Sequence, residues 1–233
     1  FCQNHAIAAG QSGKRISIER LADIFLELQT KGANNINLVT PEHYAPSIAL
    51  ALAMAKAKGL HLPIICNCSG YSSLTALRIL SDHVDVWLPD FKYYSPELSR
   101  KYSHAPDYFT VACQALQFMY GQAGDRVFDD NGIIQKGIIV RHLTLPGCME
   151  DSRKVIHYLH EIYGDKIYIS IMNQFTPVSE LLSDYPELNH TISASDYDAL
   201  VDYAIDIGIE NGFIQEGETA KESFIPPFDN EGV

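Results

Sequence analysis

The chain has 233 residues, of which 46% are hydrophobic and 20% charged, and its formal net charge is −12. This composition is typical of a globular protein, and the length suits one large α/β domain over residues 1–233. The acidic balance argues against nucleic acid as a partner, and no apolar run reaches the ~18 residues that a membrane span needs. The five scattered cysteines give no disulfide framework, so we expect a reducing, cytoplasmic location.

Helix and strand patterns alternate along the chain. In chain order the first half is predicted to contain helix 18–31 capped by Ser17, strand 35–40, a helix from Pro46 to Gly59, strand 62–70, helix 72–82 and strand 85–92. The second half is predicted to contain helices 95–103 and 106–121, an Asp-Asn-Gly hairpin at 126–134, strand 137–147, helix 150–163, strand 166–175, helix 194–207 and an irregular tail over 209–233. The charges over 150–166 are interpreted as a solvated helix face.

The strands are nearly continuous apolar runs, which is typical of a parallel sheet covered by helices. The chain begins at Phe1 without a Met, so we expect the first strand to be missing and the total to be six. Six βα units suit an incomplete barrel or an open sheet, because a closed barrel normally takes eight. The predicted fold class is therefore α/β, an incomplete (β/α)6-type TIM-like barrel with parallel strands in a single domain.

The predicted strands are apolar until their last residues and then turn polar. Their polar ends contain Thr40, Glu42, His43, Asn67, Ser69, Asp90, Lys92, Arg141, His142, Asn173 and Gln174. In such sheets the chemistry lies at the carboxyl ends of the strands. Any one strand end can turn polar simply because it leaves the core, but the whole set together favours a shared ligand site. Cys66 and Cys68 alternate onto one strand face, where we favour core packing over metal ligation.

Several segments carry a resemblance to a known family. They read "FCQN", "GANNINLVTPEHY", "LPIICNCSGY", "VDVWLPDFKY", "VRHLTLPG", "YISIMNQFTP" and "NGFIQEG". Over essentially its whole length the chain resembles the radical S-adenosylmethionine enzymes, and most closely the uncharacterised branch related to pyruvate formate-lyase activating enzyme. Phe1 and Cys2 resemble the last two positions of the family's C-x-x-x-C-x-aromatic-C motif. Two further cysteines would then lie upstream of Phe1.

The resemblance implies two cofactors, a [4Fe–4S] cluster and S-adenosylmethionine. In the family three thiolates hold the cluster, and its open iron takes the amino and carboxylate groups of S-adenosylmethionine. Reductive cleavage then yields a 5′-deoxyadenosyl radical that abstracts hydrogen from a substrate, with an electron donor such as flavodoxin or ferredoxin. Cys2 would be a metal ligand and catalytic, and Asn4 would bind cofactor. With Cys2 as the single cluster cysteine, this fragment itself would be inactive, and its substrate, a glycine Cα–H of a partner protein or a small molecule, is left open.

The resemblance also implies roles for the first strand ends. The segment "VTPEH" stands where relatives have a Gly-Gly-Glu segment that contacts the methionine amino group. This makes Thr40 a candidate contact, although the glycines are missing, and leaves open whether Glu42 replaces the family's carboxylate. Asn67 and Ser69 would be polar contacts to the ligand.

The later strand ends resemble further parts of the family's ligand site. Asp90 would orient the ligand or a cation, and Lys92, also a catalytic candidate, would meet a carboxylate. Arg141 would lie near the methionine carboxylate or the ribose, with His142 behind it. Asn173 stands near the place where activases carry a ligand-contacting His.

Two alternatives to a radical enzyme remain open. A lysine such as Lys92, beside Asp90 in an apolar run, is also how a Schiff-base aldolase would place its nucleophile. Alternatively, the chain is a scaffold of the same kind that has lost its cluster and serves as a binding module. An upstream C-x-x-x-C in the native sequence would argue against this second alternative.

Overall fold

The computed structural model describes residues 13–177 and 184–215. Cys2 and Asn4, both predicted from the sequence to serve the cofactors, lie outside the described residues, as does the tail from 216 onward. None of the described helices combines the length and the apolarity that crossing a membrane requires.

The order of the helices follows the sequence prediction closely. The described α-helices are α1 (Ile18–Thr30), α2 (Ala45–Ala57), α3 (Leu74–Ser81), α4 (Pro96–Ser103), α5 (Tyr108–Ala123), α6 (Met149–Tyr163) and α7 (Ala194–Asp206). Short 3-10 turns occupy Pro41–Tyr44, Gly164–Lys166 and Pro186–Leu188.

Serine side chains begin four of these helices, which explains why the helix starts could be predicted. Ser17 accepts a hydrogen bond from the Arg20 N–H at 3.1 Å, and Ser193 accepts one from the Asp196 N–H at 3.1 Å. The helices α3 and α4 begin in the same way, at Ser73 and Ser95. A serine at this position satisfies a backbone donor that the helix leaves unpaired, so the signal is local in the sequence.

The strands form a largely parallel sheet. They are β1 (Ile36–Val39), β2 (Ile64–Cys68), β3 (Val86–Pro89), β4 (Val127–Phe128), β5 (Ile134–Leu143), β6 (Tyr168–Met172) and β7 (Gly212–Ile214). The strand order is β1-β2-β3-β5-β6-β7, and β4 pairs with β5 in the predicted antiparallel hairpin. The order of the described strands ends at β1 and β7 without closing, which confirms the predicted incomplete barrel with parallel strands.

The chain divides into two compact units. The β1–β3 unit comprises Lys14–Asp90 and Thr110–Ile139, and the β6–β7 unit comprises Phe91–Phe109 with the described residues of 140–215. The core of the β1–β3 unit contains buried residues of its strands and of α2, which are Ile36, Leu52, Ala55, Ile64 and Trp87. The core of the β6–β7 unit is formed largely by α6 and β6, through Val155, Ile156, Leu159, Ile169 and Ile171.

One strand was not expected from the sequence. Residues 212–214 fall in the segment predicted to be irregular, yet they pair in parallel with β6, Ile169 opposite Gly212 and Ile171 opposite Ile214. Three residues are too few to show a period-two pattern, and the pairing partner lies about forty residues away, so no local signal marks this strand.

Tyr197 of α7 fixes β7 to β6 from one side. Its hydroxyl donates to the Ile171 carbonyl at 2.7 Å and accepts from the Gln215 N–H at 2.9 Å. The side chain is buried, which raises the pKa of its phenol. A single hydroxyl therefore satisfies a backbone carbonyl of β6 and the backbone N–H of the residue that follows β7.

We expect Tyr197→Phe to lower the free energy of unfolding by about 1–3 kcal/mol, because it leaves a buried carbonyl and a half-buried N–H without their partner. Urea unfolding followed by circular dichroism measures the change. Tyr203→Phe is the matched control, since the contact of 3.5 Å that its hydroxyl makes to His157 is exposed. Equal losses in the two variants would contradict this role for Tyr197.

Candidate functional site

The carboxyl ends of β1, β2 and β3 lie next to each other in the β1–β3 unit. The Thr40 N–H donates to the Asn67 carbonyl at 2.8 Å, and the Asp90 N–H donates to the Cys68 carbonyl at 2.8 Å. The parallel ladder thus continues just beyond the strands. It brings the backbones of Thr40, Asn67 and Asp90, with Ser69 one residue beyond β2, to one edge of this unit.

Thr40 has an unusual backbone conformation at this edge. Its φ of 51° and ψ of 53° lie in the left-handed region, which a β-branched residue rarely adopts because its Cβ crowds the backbone. Glycine adopts this conformation without steric cost. Threonine is therefore less suited to this conformation than glycine would be. The turn leads directly into Pro41–Tyr44, which carries Glu42.

Glu42 is half-buried, and only one of its two carboxylate oxygens has a hydrogen-bond donor among the described residues. The Ser72 hydroxyl donates to Glu42 Oε1 at 2.6 Å, and Ser72 is only 3% exposed. Glu42 Oε2 is buried, and residues 13–177 and 184–215 provide no hydrogen-bond partner for it. A buried carboxylate oxygen without a donor is costly, so this oxygen is suited to a donor supplied by a ligand.

The thiols near Glu42 are not suited to hold a metal. Cys66 and Cys68 are buried on one face of β2, as the core-packing interpretation expected. The hydrogen bond that the Cys66 thiol donates to Cys68, burial and the nearby Glu42 charge all raise the pKa of that thiol. Metal ligation needs the thiolate, so this environment opposes it. Within the described ranges no three His, Cys, Asp or Glu side chains are grouped closely enough to hold a metal ion.

The two other described cysteines do not change this conclusion. Cys113 and Cys148 are free thiols, and burial raises the pKa of Cys148 to about 11. The thiols that the structure describes therefore do not fit a [4Fe–4S] cluster, which needs thiolates that converge.

The remaining predicted residues, Lys92, Arg141, His142 and Asn173, belong to the β6–β7 unit. The Phe91 N–H donates to the Arg141 carbonyl at 2.7 Å, which places the segment of Lys92 beside the end of β5. The Lys92 N–H donates to the Tyr108 hydroxyl at 3.0 Å. Asn173 follows β6 directly. The ends of β5 and β6 therefore belong to this unit, together with Lys92 just beyond β3.

His142 links two elements of the same unit. Its ring is 1% exposed, with Nδ1 at 2.8 Å from the Phe91 carbonyl and Nε2 at 2.9 Å from the Ser152 hydroxyl. A carbonyl can only accept, so Nδ1 carries the proton. Both nitrogens are thus engaged within the protein, and the ring holds the segment before Lys92 against α6.

Asp151 is a structural residue that the sequence interpretation missed. It was interpreted as part of a solvated helix face, but it is 7% exposed. Its Oδ2 accepts from the Tyr94 N–H at 3.0 Å and its Oδ1 from the Ser95 N–H at 2.8 Å. The carboxylate therefore fixes the loop that follows Lys92. Its partners lie 56 and 57 residues away, so no spacing in the sequence indicates the contact.

Gln215 is a second residue that the sequence did not single out. Its Oε1 accepts from the Asn173 N–H at 2.9 Å, and its Nε2 donates to Gln174 Oε1 at 3.2 Å. The side chain thus covers the carboxyl end of β6 and fixes the backbone of Asn173. Gln215 lies just beyond β7, in the segment predicted to be irregular, so its contact could not be anticipated.

Sequence comparisons give one distant relative of this chain. No family model matches the sequence. An uncharacterized protein of Methanocaldococcus jannaschii is 21% identical over 213 residues, which cover 88% of this chain and 57% of that protein. The chain therefore spans little more than half the length of this curated relative.

Two solved structures share the fold. One is a domain of pyruvate-formate lyase-activating enzyme from Bacteroides vulgatus, with a TM-score of 0.56 and 9% identity over 79% of this chain and all of that domain. The other is the radical S-adenosylmethionine enzyme SuiB of Streptococcus suis, bound to precursor peptide SuiA, with a TM-score of 0.60 and 10% identity over 89% of this chain and 44% of SuiB. The chain therefore has a radical S-adenosylmethionine-related fold.

We expect Thr40→Gly to raise the free energy of unfolding by up to about 1 kcal/mol, because relief of the left-handed strain exceeds the entropic cost of glycine. The neighbouring Val39→Gly is the control. Val39 lies in the extended strand β1, so glycine there should lower the same quantity by about 1 kcal/mol. Urea unfolding of both variants gives the two values, and a loss at Thr40 as large as at Val39 would contradict the proposed strain.

Proposed function

We propose that this chain forms the S-adenosylmethionine-binding part of a radical S-adenosylmethionine enzyme similar to pyruvate formate-lyase activating enzyme. The observation that carries the proposal is the Glu42 carboxylate. It has one buried oxygen with no donor in the described part of the chain, and it stands just beyond β1 in a fold of the radical S-adenosylmethionine kind.

S-Adenosylmethionine offers groups that match the polar strand ends. Its ammonium is a charged donor for Glu42 Oε2, and its carboxylate suits the cationic side chains of Lys92 and Arg141. Its ribose and adenine need neutral polar partners, for which we propose Asn67 and Ser69.

The remaining contacts follow the same chemistry. Asp90 would orient the ligand, Thr40 would contribute through its backbone next to Glu42, and Asn173 would contact the nucleoside. Both ring nitrogens of His142 are hydrogen-bonded within the protein, so we propose that it supports the backbone around Arg141 and does not contact the ligand. These assignments give each predicted residue one role that binding experiments can test.

The cluster is a separate part of the proposal. The described thiols do not fit the cluster, so its ligands would lie outside the described residues. We propose Cys2 as a metal ligand and Asn4 as a neighbouring cofactor contact, both outside the described residues.

The substrate and the redox partner are also proposed. We propose hydrogen abstraction from a polypeptide, such as a glycine of a glycyl-radical protein, with flavodoxin or ferredoxin as the electron donor in the cytoplasm. The occurrence of the same fold in SuiB, which was crystallised with a precursor peptide, supports a polypeptide substrate.

Anaerobic reconstitution of the full-length protein that contains this chain tests the proposal. We expect a brown protein, an EPR-active reduced cluster, and release of 5′-deoxyadenosine from S-adenosylmethionine with dithionite. Binding of S-adenosylmethionine without a cluster would instead identify a binding scaffold. A borohydride-trapped adduct on Lys92 with a carbonyl substrate would identify a Schiff-base aldolase, and either result would overturn the radical-enzyme proposal.

We expect Arg141→Ala to weaken S-adenosylmethionine binding by about 10-fold or more, the effect of losing a charge-assisted hydrogen bond. Isothermal titration calorimetry on the reconstituted full-length protein measures the dissociation constant. Arg153→Ala is the matched control, because Arg153 lies on α6 of the same unit and packs its guanidinium over Tyr203. Unchanged affinity in Arg141→Ala, or an equal loss in the control, would refute the assignment.

A further inference from the structure

Ser72 is a buried hydrogen-bond donor in a loop that makes several hydrogen bonds. The loop connects β2 to α3, and its other residues make hydrogen bonds of their own: the Tyr71 N–H donates to the Ser69 hydroxyl at 3.3 Å, and Ser73 caps α3 by accepting from the Ala76 N–H at 3.4 Å. Ser72 itself is 3% exposed and faces Glu42, thirty residues earlier in the chain. The position of its hydroxyl is therefore set by the fold around it.

A single hydroxyl has one proton, so it satisfies only one oxygen of a carboxylate. Ser72 gives that proton to Glu42 Oε1 at 2.6 Å, and this contact fixes the rotation of the carboxylate about its last side-chain bond. The second oxygen, Oε2, is buried and finds no hydrogen-bond partner in the described part of the chain. A neutral hydroxyl supplies no positive charge, so a donor that carries positive charge is a strong complement for Oε2.

We propose that Ser72 is a positioning residue that holds Glu42 so that Oε2 accepts a hydrogen bond from the ammonium group of bound S-adenosylmethionine. The inference rests on the proposed function and deepens it, since Ser72 touches no ligand and acts through Glu42. Without the Ser72 hydroxyl the carboxylate can rotate, and neither oxygen is held in place for the ammonium.

The test compares ligands that differ in the ammonium group. S-Adenosylmethionine and decarboxylated S-adenosylmethionine both carry an ammonium, whereas 5′-methylthioadenosine lacks it and keeps the adenosine. We expect Ser72→Ala in the reconstituted full-length protein to weaken the first two by about 10-fold, as for a lost hydrogen bond to a charged group, and methylthioadenosine by less than about twofold. Calorimetric dissociation constants under anaerobic conditions give all three values.

Ser73→Ala is the matched control. It removes the cap of α3 one residue away and lowers stability, but it leaves Glu42 untouched. We expect it to affect the three ligands equally. A general loss of structure in Ser72→Ala would likewise weaken all three ligands to the same extent, and that result would overturn the positioning role.

Glu42→Gln provides a second variant that keeps the size of the side chain and removes its charge. It should show the same selective loss, and the double variant should lose little more than either single variant, because both changes break one interaction. Additive losses would show that Ser72 acts independently of Glu42, against the proposal.

If the wild-type protein binds no adenosine ligand, the proposed function itself fails. If it binds all three ligands equally well, only the ammonium contact at Glu42 fails.

Discussion

The parallel register at the carboxyl ends of the strands is the constraint on which the rest of this structure depends. In a parallel sheet each crossover returns the chain to the same edge, so residues that follow different strands become neighbours in space. In the β1–β3 unit this register continues beyond the strands, through the hydrogen bonds from Thr40 to Asn67 and from Asp90 to Cys68. In the β6–β7 unit the bond from Phe91 to Arg141 has the same effect. Side chains of very different chemistry can then be presented together without disturbing the apolar core.

The polar groups of each unit fall into two kinds. His142 and Asp151 have both of their polar side-chain atoms hydrogen-bonded within the protein, and they hold the segments around Lys92 in place. Such groups act as structural fixtures, because a satisfied buried hydrogen bond stabilises one arrangement and has no capacity left for a ligand. Glu42 differs, since Ser72 satisfies one of its oxygens and the described residues leave the other without a donor. The distinction between support and ligand site thus follows from counting donors and acceptors.

Thr40 lies beside Glu42, and its left-handed backbone conformation is energetically unfavourable. Unfavourable backbone conformations persist where the surrounding structure fixes them, and they concentrate at functional sites. Here the strained residue connects the ladder of β1 to the turn that carries Glu42, so the strain and the half-satisfied carboxylate are adjacent features.

The helices and most strands could be predicted because their signals are local, such as the serine caps and the apolar runs. The polar strand ends could be predicted for the same reason.

The sequence alone determined the alternation of strands and helices, the parallel fold class and the residues that follow each strand. It also carried the resemblance to radical S-adenosylmethionine enzymes. Two solved structures share the fold that this resemblance implied. Only the tertiary structure decided that Asp151 is buried, that Gln215 closes the end of β6, and that Ser72 holds Glu42. Each of these contacts joins residues thirty or more positions apart. Periodicity and capping signals extend over only a few residues, so pairs this distant are determined by how the elements pack.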